Sequence, residues 1–371
     1  SVSLKRLPME RSLEFEDFPS EGIWKAYVAA GDANFVKLDG KDEVSGDTGS
    51  KIQFDIDFVG ECNENSSRHA IIRVEYHNLT CYHLIFVRQG SAPVQMVENG
   101  CLWHTFNLKS STEEVTSPCD EGSLFRFGNL DDPIAASNLV NPKTPWINVT
   151  PDDFESWVDK DFTIEGQKET KKWDEITFQP AATGSFGEIT LSNGKKVSVA
   201  SYNDFESLYA DGDIEQGYGV LYGDKAKTTA SDLDDVYGGS GMRGCFVYSK
   251  SSGKNLFFPI GASGYGRIKD GRNEGGKRVV LRYSSGQWTK FPSSISSIYP
   301  NSDVAPLFYD LYMRPGAAYW LNRMYNTPRS KNIIAWDFNY FTFDFNLLPM
   351  VNVFNGTQSD ATHIRCVENS K

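Results

Sequence analysis

The 371-residue sequence lacks several features that would assign a protein to a class at once. It has no apolar run of the about 20 residues that a membrane-crossing helix needs. Its 37 Lys and Arg side chains are outnumbered by 49 Asp and Glu, which gives a formal net charge of −12. Because nucleic-acid binding depends on basic charge, we expect no nucleic-acid partner. None of the six cysteines forms a C-x-x-C pair, which argues against zinc ribbons and thioredoxin-type redox sites.

Catalytic and cofactor motifs are also scarce. Neither G-x-S-x-G nor H-E-x-x-H occurs. Gly271–Lys277 begins like a phosphate-binding loop, but Arg278 stands where a Ser or Thr should reach Mg²⁺, so we interpret the segment as a solvated loop. His77, Cys81 and His83 lie close together in the chain, and ordinary strand histidines are favoured over a metal site there. The sequence therefore predicts no cofactor, no metal and no enzymatic activity.

What the sequence does contain indicates β-structure. Aromatic residues make up 13% of the chain, with 32 Gly and 16 Pro, a composition typical of strands joined by many turns. Lys51–Phe58 alternates polar and apolar residues, as a half-buried strand does. His69–Tyr76 and Thr80–Arg88, separated by a turn, predict a hairpin. Gln89–Pro93 is typical of a linker.

The rest of the chain joins strand-like runs by long Gly-, Ser- and Asp-rich stretches. Two segments predict the start of a helix. Thr150–Asp153 places a proline and two acids in a first turn, and Ser201–Asp204 resembles a capping box ahead of Phe205. The strand-like runs are Gly244–Tyr248, Leu256–Ile260, Val279–Tyr283, Ile333–Phe345 and His363–Val367.

The first part of the chain resembles the BACON domain. The matching elements are Trp24, the Gly-rich turn Gly46–Ser50 and a closing strand that ends in Phe86–Gly90. This resemblance covers about residues 12–90. It implies an immunoglobulin-like β-sandwich.

The second part resembles the Fibrobacter succinogenes major paralogous domain, which is related to the C-type-lectin and formylglycine-generating-enzyme folds. The matching elements occur in the family's order: Leu102–Leu108, Gly122–Gly128, Val199–Leu208, Leu256–Tyr265, Ala318–Leu321 and Ile364–Val367. Formylglycine-generating relatives need a reactive cysteine pair near the C-terminal strand. This chain has only Cys366 there, with Cys245 as a candidate structural partner for it.

Together the two resemblances imply a β-rich, two-domain fold class. Residues 1–92 would form the immunoglobulin-like β-sandwich, and residues 93–371 an irregular α+β, C-type-lectin-like domain. Both families occur in secreted or surface-anchored proteins of gut Bacteroidetes and are associated with binding rather than catalysis. We therefore expect an extracellular or outer-membrane-surface protein. Membrane association is expected only through a lipid anchor ahead of Ser1.

One aromatic stretch has the composition of a binding groove. Leu307–Tyr325 interleaves aromatic residues with Arg and Asn, and sugar rings stack on aromatic faces while amides and guanidinium groups bind the hydroxyls. Trp336-Asp337 resembles part of the calcium and sugar segment of C-type lectins. The alternative is that these residues form the core of the lectin-like domain. The candidate ligand-binding residues are Tyr312, Tyr319, Trp320, Asn322, Arg323, Trp336 and Asp337.

The favoured function is that of an adhesin which binds a glycan or a host or fimbrial protein. A second hypothesis is a fimbrial tip or accessory subunit whose surfaces serve assembly, since a sandwich with a free edge can accept or donate a strand. A carbohydrate-active enzyme is the third and least favoured hypothesis. It would need two carboxylates flanking a cleft, which sequence spacing does not reveal.

Overall fold

A computed structural model describes residues 2–3, 22–63, 65–118, 120–134, 161–163, 170–172, 185–221, 242–259, 262–268, 278–282, 316–329, 332–339, 344–349 and 361–369. Across these residues the chain is strand-rich, as its composition predicts. The predicted helix start at Thr150–Asp153, the loop Gly271–Lys277 and the candidate ligand residue Tyr312 lie outside the described residues.

The strands are numbered along the chain, and the helix is α1 (Tyr202–Ala210). The strands are β1 (Val2–Ser3), β2 (Trp24–Gly31), β3 (Val36–Leu38), β4 (Glu43–Gly46), β5 (Gln53–Phe54), β6 (Ile56–Phe58), β7 (Arg68–Tyr76), β8 (Cys81–Gln89), β9 (Val94–Gln95), β10 (Leu102–Asn107), β11 (Leu124–Arg126), β12 (Asn129–Ile134), β13 (Asp161–Thr163), β14 (Thr170–Lys172), β15 (Ile189–Thr190), β16 (Lys196–Val199), β17 (Ile214–Leu221), β18 (Met242–Ser249), β19 (Asn255–Pro259), β20 (Ala262–Ile268), β21 (Arg278–Arg282), β22 (Gly316–Tyr325), β23 (Ile333–Asn339), β24 (Asp344–Pro349), β25 (Ala361–Thr362) and β26 (Arg365–Glu368).

The first large sheet has the order β4-β2-β7-β8. The predicted hairpin is confirmed, because β7 and β8 pair antiparallel from Arg68 opposite Gln89 to Tyr76 opposite Cys81. The predicted strand Lys51–Phe58 is instead divided into two short strands, β5 pairing with β1 and β6 pairing with β3. Regular alternation in the sequence therefore did not reveal that the pairing partner changes within the segment.

A tryptophan anchors the core beneath this sheet. Trp24 is 4% exposed and packs in one hydrophobic cluster with Ile72 and Val74. Its indole Nε1 donates a hydrogen bond to the Ser50 hydroxyl at 2.7 Å. A side chain at Gly46 would collide with the same indole, so the Gly-rich turn closes directly on the tryptophan.

Strands β22 and β23 lie between two further hydrophobic clusters. Side chains of a strand alternate between faces, and here both faces are buried. Tyr319 belongs to one cluster with Phe205 and Phe258, whereas Trp320 belongs to the other with Phe125. The sheet that contains β10 and β26, ordered β15-β16-β26-β10-β9, also contributes to both clusters. This double burial explains the nearly continuous apolar sequence of these strands.

The first sheet also contacts the hairpin formed by β18 and β19. The ring of Phe86 on β8 stacks on Phe246 of β18, with centroids 4.6 Å apart, and lies 4.8 Å from the ring of Tyr248. The chain needs only residues 90–93 to pass from β8 to β9, in the place where the sequence predicts a linker. No helix in the described part of the chain has the length and hydropathy of a membrane-spanning segment.

Candidate functional site

The site begins with helix α1, whose start the sequence predicted correctly. Ser201 is the N-cap, its hydroxyl accepting the backbone N–H of Asp204 at 3.2 Å. The Asp204 carboxylate accepts the backbone N–H of Ser201 at 2.7 Å, which completes a capping box. Phe205 and Leu208 are buried on the inner face of the helix. The spacing of three and four residues leaves Tyr202, Glu206 and Tyr209 together on the remaining face.

Strand β22 brings further side chains to this helix face. Between Trp320 and Tyr325 its register with β23 shifts, because Trp320 lies opposite Ala335 whereas Tyr325 lies opposite Ile333. A bulge of this kind redirects side chains out of the sheet. Its backbone is fixed by hydrogen bonds from the Asn322 N–H to the Ala200 carbonyl at 3.0 Å and from the Phe186 N–H to the Asn322 carbonyl at 2.7 Å. Arg323 is exposed as a result.

Helix and bulge together form one surface, which we call the tyrosine–arginine surface. The guanidinium of Arg323 lies over the ring of Tyr325 at 4.6 Å, and the Tyr325 hydroxyl donates to the Asn322 side-chain oxygen at 2.7 Å. The rings of Tyr325 and Tyr202 lie 5.8 Å apart. The surface consists of Tyr202, Glu206, Tyr209, Asn322, Arg323, Tyr325 and Arg329.

The charges on this surface are unevenly paired. Glu206 accepts hydrogen bonds from the Tyr202 hydroxyl at 3.0 Å and from Arg329 at 3.3 Å. Burial, together with the nearby Glu206 carboxylate, raises the pKa of Tyr202, which therefore stays a neutral hydrogen-bond donor. Arg329 also lies over the ring of Tyr209, which is 41% exposed. Within the described residues, Arg323 has no carboxylate partner.

This arrangement combines aromatic rings, a guanidinium and an amide in one area, where Arg323 and Tyr209 are exposed while Tyr202, Asn322 and Tyr325 are half-buried. Aromatic faces bind the apolar faces of sugar rings or peptide side chains, and a planar guanidinium binds hydroxyl, carbonyl or carboxylate oxygens. Because Arg323 is stacked on Tyr325, less side-chain entropy is lost when it binds a ligand. The surface is therefore suited to recognition, with Arg323 as the donor that remains available.

No protein-family model, curated protein or solved structure matches this chain.

The candidate ligand residues predicted from the sequence divide into two groups. Asn322 and Arg323 belong to the tyrosine–arginine surface. Tyr319 and Trp320 are 0% and 1% exposed, and Trp320 donates its indole N–H to the carbonyl of Phe125. Rings buried in this way present no face to a ligand, so the structure favours the core alternative for both residues.

Trp336 and Asp337 are buried as well, each 0% exposed. The Trp336 indole stacks on Phe205, with centroids 5.5 Å apart and an interplanar angle of 13°. Asp337 occupies the middle of a sheet, paired with Ala318 and Asn346. A calcium ion that bridges to a sugar needs ligands at the surface, so burial favours packing over calcium binding here as well.

The aromatic residues that do reach the surface were not predicted as ligand residues. Tyr202 and Tyr209 are missed because their segment has no dense aromatic pattern, whereas Tyr325 ends the aromatic stretch Leu307–Tyr325 but is not among the predicted ligand residues. The available signal was helical spacing, since Tyr202, Glu206 and Tyr209 recur at intervals of four and three residues after a recognisable capping box. Tyr202 and Tyr325 are 123 residues apart in sequence, so their contact leaves no local signal.

A second polar cluster joins β10, β16 and β26. His104 is 5% exposed, and its Nδ1 lies 2.8 Å from Glu114 Oε1 while its Nε2 lies 2.9 Å from Glu368 Oε1. Lys195 Nζ lies 2.8 Å from the same Glu368 oxygen. Each ring nitrogen of His104 therefore faces a carboxylate oxygen. We assign this cluster to the stability of the sheet.

The cysteines do not form the pairing considered from the sequence. Cys366 is completely buried and carries a free thiol, so the structure has no Cys245–Cys366 disulfide. Burial and the nearby Glu114 carboxylate raise the pKa of the Cys366 thiol, which makes it a small apolar core group rather than a reactive thiolate. In the part of the chain that the structure describes, no three His, Cys, Asp or Glu side chains form a group fit for a metal ion.

Proposed function

We propose that the chain is a secreted, non-enzymatic protein of the cell surface that binds a glycan or a protein ligand. The tyrosine–arginine surface is its recognition site. The observation that carries the proposal is the Arg323 guanidinium, stacked on Tyr325 beside Asn322 and exposed without a carboxylate partner in the described residues. The stack on Tyr325 orders this guanidinium and leaves its N–H groups available for the oxygens of a ligand.

The proposal includes the finer fold assignment, namely a BACON-like immunoglobulin sandwich over residues 1–92 and a lectin-like α+β domain over residues 93–371. Contact between Trp24, Gly46 and Ser50 supports the first part, because these are elements of the resemblance. The capped helix α1 and the central position of β26 in its sheet support the second part. The proposed location is extracellular, on the outer-membrane surface.

A glycan array with matched variants tests the recognition site. The full chain is screened with calcium and again with EDTA, together with Arg323→Ala, Tyr209→Ala and Tyr82→Ala. Tyr82 is the matched control, since it is an exposed tyrosine (53%) on the first sheet. We expect binding to one glycan class, weakened about tenfold or more by the first two changes and unaffected by the third. Binding that all three variants retain would place the site elsewhere.

Assembly is a second candidate function, favoured by one feature of the first sheet. Strand β8 spans nine residues and, among the described strands, pairs only with β7. A long edge strand of this kind accepts an added strand from another chain. Tyr82→Lys places a charge on this edge. If β8 serves assembly, sedimentation velocity shows oligomers of the parent protein that this change disrupts, whereas a parent protein that stays monomeric contradicts assembly through β8.

A further inference from the structure

The strongest hydrogen-bond acceptors of the tyrosine–arginine surface are already in use. The two oxygens of the Glu206 carboxylate each accept a hydrogen bond, from the Tyr202 hydroxyl at 3.0 Å and from Arg329 at 3.3 Å. The side-chain oxygen of Asn322 accepts the hydroxyl of Tyr325 at 2.7 Å. The carboxylate and the amide oxygen are therefore bound to donors of the surface itself, which makes them less available to the hydroxyl groups of a ligand.

The donors that remain belong to Arg323 and Asn322. The Arg323 guanidinium is exposed, and neither it nor the side-chain nitrogen of Asn322 donates to another described residue. A guanidinium has N–H donors and no acceptor, and the amide nitrogen of asparagine is likewise only a donor. The hydrogen-bonding capacity that this surface offers to a ligand is therefore mainly that of a donor.

The charge of the surface is also one-sided. Arg329 pairs with Glu206, whereas Arg323 has no carboxylate partner among the described residues. Asp204, the other acid of helix α1, accepts both the backbone N–H and the hydroxyl of Ser201 at 2.7 Å. The surface therefore carries an unpaired cation, although the formal net charge of the chain is −12.

The aromatic rings offer little bare area to a neutral sugar. Arg323 lies over one face of Tyr325, whose ring is also 5.8 Å from that of Tyr202. Tyr202 in turn meets the buried indole of Trp336 edge to face, with centroids 6.1 Å apart. Of the three tyrosines of this surface, Tyr209 is the exposed one, at 41%. A neutral sugar, whose hydroxyls both donate and accept, is therefore poorly matched to free groups that are mainly donors.

We propose that the tyrosine–arginine surface binds an acidic glycan, whose anionic group is held by the guanidinium of Arg323 and the side-chain amide of Asn322. This inference rests on the recognition site proposed above and names its ligand class. The planar guanidinium matches two oxygens of a carboxylate or a sulfate, and the amide N–H donates to a neighbouring oxygen. The exposed ring of Tyr209 packs against another part of the glycan.

An acidic peptide carries the same charge but suits the surface less well. Protein ligands bind mainly through a few large anchor side chains that fill desolvated pockets. Here the rings of Tyr202 and Tyr325 pack against the hydrophobic core and against each other, so they are not available to enclose an anchor. The observations therefore favour an acidic glycan, and an acidic peptide is included among the probes.

A glycan array in matched pairs tests the ligand class. Each glycan with a uronic acid or a sulfate ester is paired with its carboxyl-reduced or desulfated counterpart, and an oligoglutamate peptide is added. We expect the full chain to bind acidic members and to bind their neutral counterparts at least about tenfold more weakly. Comparison of uronic acids with sulfated sugars shows which anionic group is preferred. Added salt should weaken binding, since it screens exposed charges.

Two conservative substitutions assign the charge selection to this site. Arg323→Lys keeps the charge without the planar donors and should weaken binding of the acidic glycan about tenfold. Asn322→Asp keeps an acceptor for the Tyr325 hydroxyl but replaces the N–H donors with a negative charge, so it should abolish binding. Lys250→Ala is the matched control, because it removes an exposed lysine that pairs with Glu215 on the β17–β18 hairpin. It should keep the affinity of the parent protein, and thermal unfolding checks that each variant is folded.

The outcomes separate this inference from the proposed function. Neutral counterparts that bind as tightly as the acidic glycans, but not to Arg323→Ala, would overturn the acidic class and leave the recognition site in place. Acidic glycans that bind Arg323→Ala and Asn322→Asp as tightly as the parent protein would overturn both. Binding of oligoglutamate without any acidic glycan, or of no member of the array, would overturn the acidic glycan as the ligand.

Discussion

Gly253, in the turn between β18 and β19, packs directly against the backbone of Gly31 at the end of β2. A Cβ atom added to Gly253 would lie 2.8 Å from the Cα of Gly31, closer than real Cβ contacts allow. Its φ of +75° is also in the left-handed region. Gly253 is therefore needed where the first sheet meets the hairpin, since a side chain there would push the two backbones apart, whereas a side chain at Gly31 would collide with His69 and Ala70 of β7.

Replacement of Gly253 should therefore destabilise the protein more than a strained turn alone would. Gly253→Ala combines left-handed strain of about 1–2 kcal/mol with a backbone collision. Gly194→Ala is the matched control, because Gly194 has a similar φ of +81° and open space around it. Comparing the urea unfolding of the two variants separates the effect of the contact with Gly31 from the effect of the left-handed φ. Equal losses of unfolding free energy would show that the Gly31–Gly253 contact does not hold the two parts together.

Substitutions of core and surface residues of β22 should have very different effects on the free energy of unfolding. Trp320→Ala removes a buried indole and its hydrogen bond, and should lower the free energy of unfolding by about 3–5 kcal/mol. Arg323→Ala, three residues away, should change it by less than about 0.5 kcal/mol. Chemical denaturation checks both variants. A stable, well-folded Trp320→Ala protein with altered ligand binding would instead restore Trp320 to the list of ligand residues.

Stability should depend on pH through His69. Burial, then the charges of Arg88 and Lys254, lowers its pKa to about 4, against the opposing charge of Asp32. The unfolded chain takes up a proton near pH 6.5 that the folded protein excludes. The contribution of neutral His69 to the free energy of unfolding is therefore complete above about pH 6.5. It falls as the pH drops towards 4, by up to about 3 kcal/mol.

A substitution at His69 isolates this effect. His69→Asn keeps an acceptor for the Asn255 N–H and removes the titrating ring, so Tm should vary less between pH 6.5 and pH 4. His77→Asn provides a control in the hairpin turn, where the left-handed φ of +49° suits asparagine. The assignment to His69 fails if both variants keep the slope of the parent protein.

The His104 cluster should control stability in acid. Burial opposes ionisation of Glu368, but hydrogen bonds from Lys195 and His104 prevail and lower the pKa of this carboxyl. Its stabilisation is present above the ordinary value of 4.5 and is lost as pH falls through the lowered pKa. Glu368→Gln should cost about 1–3 kcal/mol at pH 7 and flatten the acid limb of the stability curve.

An exposed ion pair gives the comparison for this substitution. Glu188 Oε1 lies 2.8 Å from Lys196 Nζ, with both side chains more than half exposed at 57% and 69%. Exposed ion pairs contribute little to stability, so Glu188→Gln should change the free energy of unfolding by less than about 1 kcal/mol. Urea titrations at pH 7 and pH 3.5 measure both variants. Equal effects would mean that the His104 cluster acts as an ordinary surface ion pair.

Local patterns in the sequence were sufficient where the structure is local. The β7–β8 hairpin follows from two strand-forming runs around a short turn, and helix α1 starts at the capping box of Ser201 and Asp204. Both features depend on residues within a few positions of one another. The segment 51–58 shows the limit, because its alternation predicts one strand but does not reveal that β5 and β6 have different partners.

The candidate site depended on information that no local pattern holds. An aromatic run has the same composition whether it lines a groove or lies between two buried layers. Only the hydrophobic clusters on both faces of β22 show that Tyr319 and Trp320 are core residues.

The sequence by itself determined that this protein is strand-rich and acidic, that β7 and β8 form a hairpin and that a helix begins after Ser201. Composition and near-neighbour hydrogen bonding are sufficient for these features. Tertiary structure alone decided which aromatic residues are exposed, that Tyr202 meets Tyr325, and that His69 is buried at the contact with the β18–β19 hairpin. Burial and charge pairing depend on contacts between distant segments, which form only when the whole chain has folded.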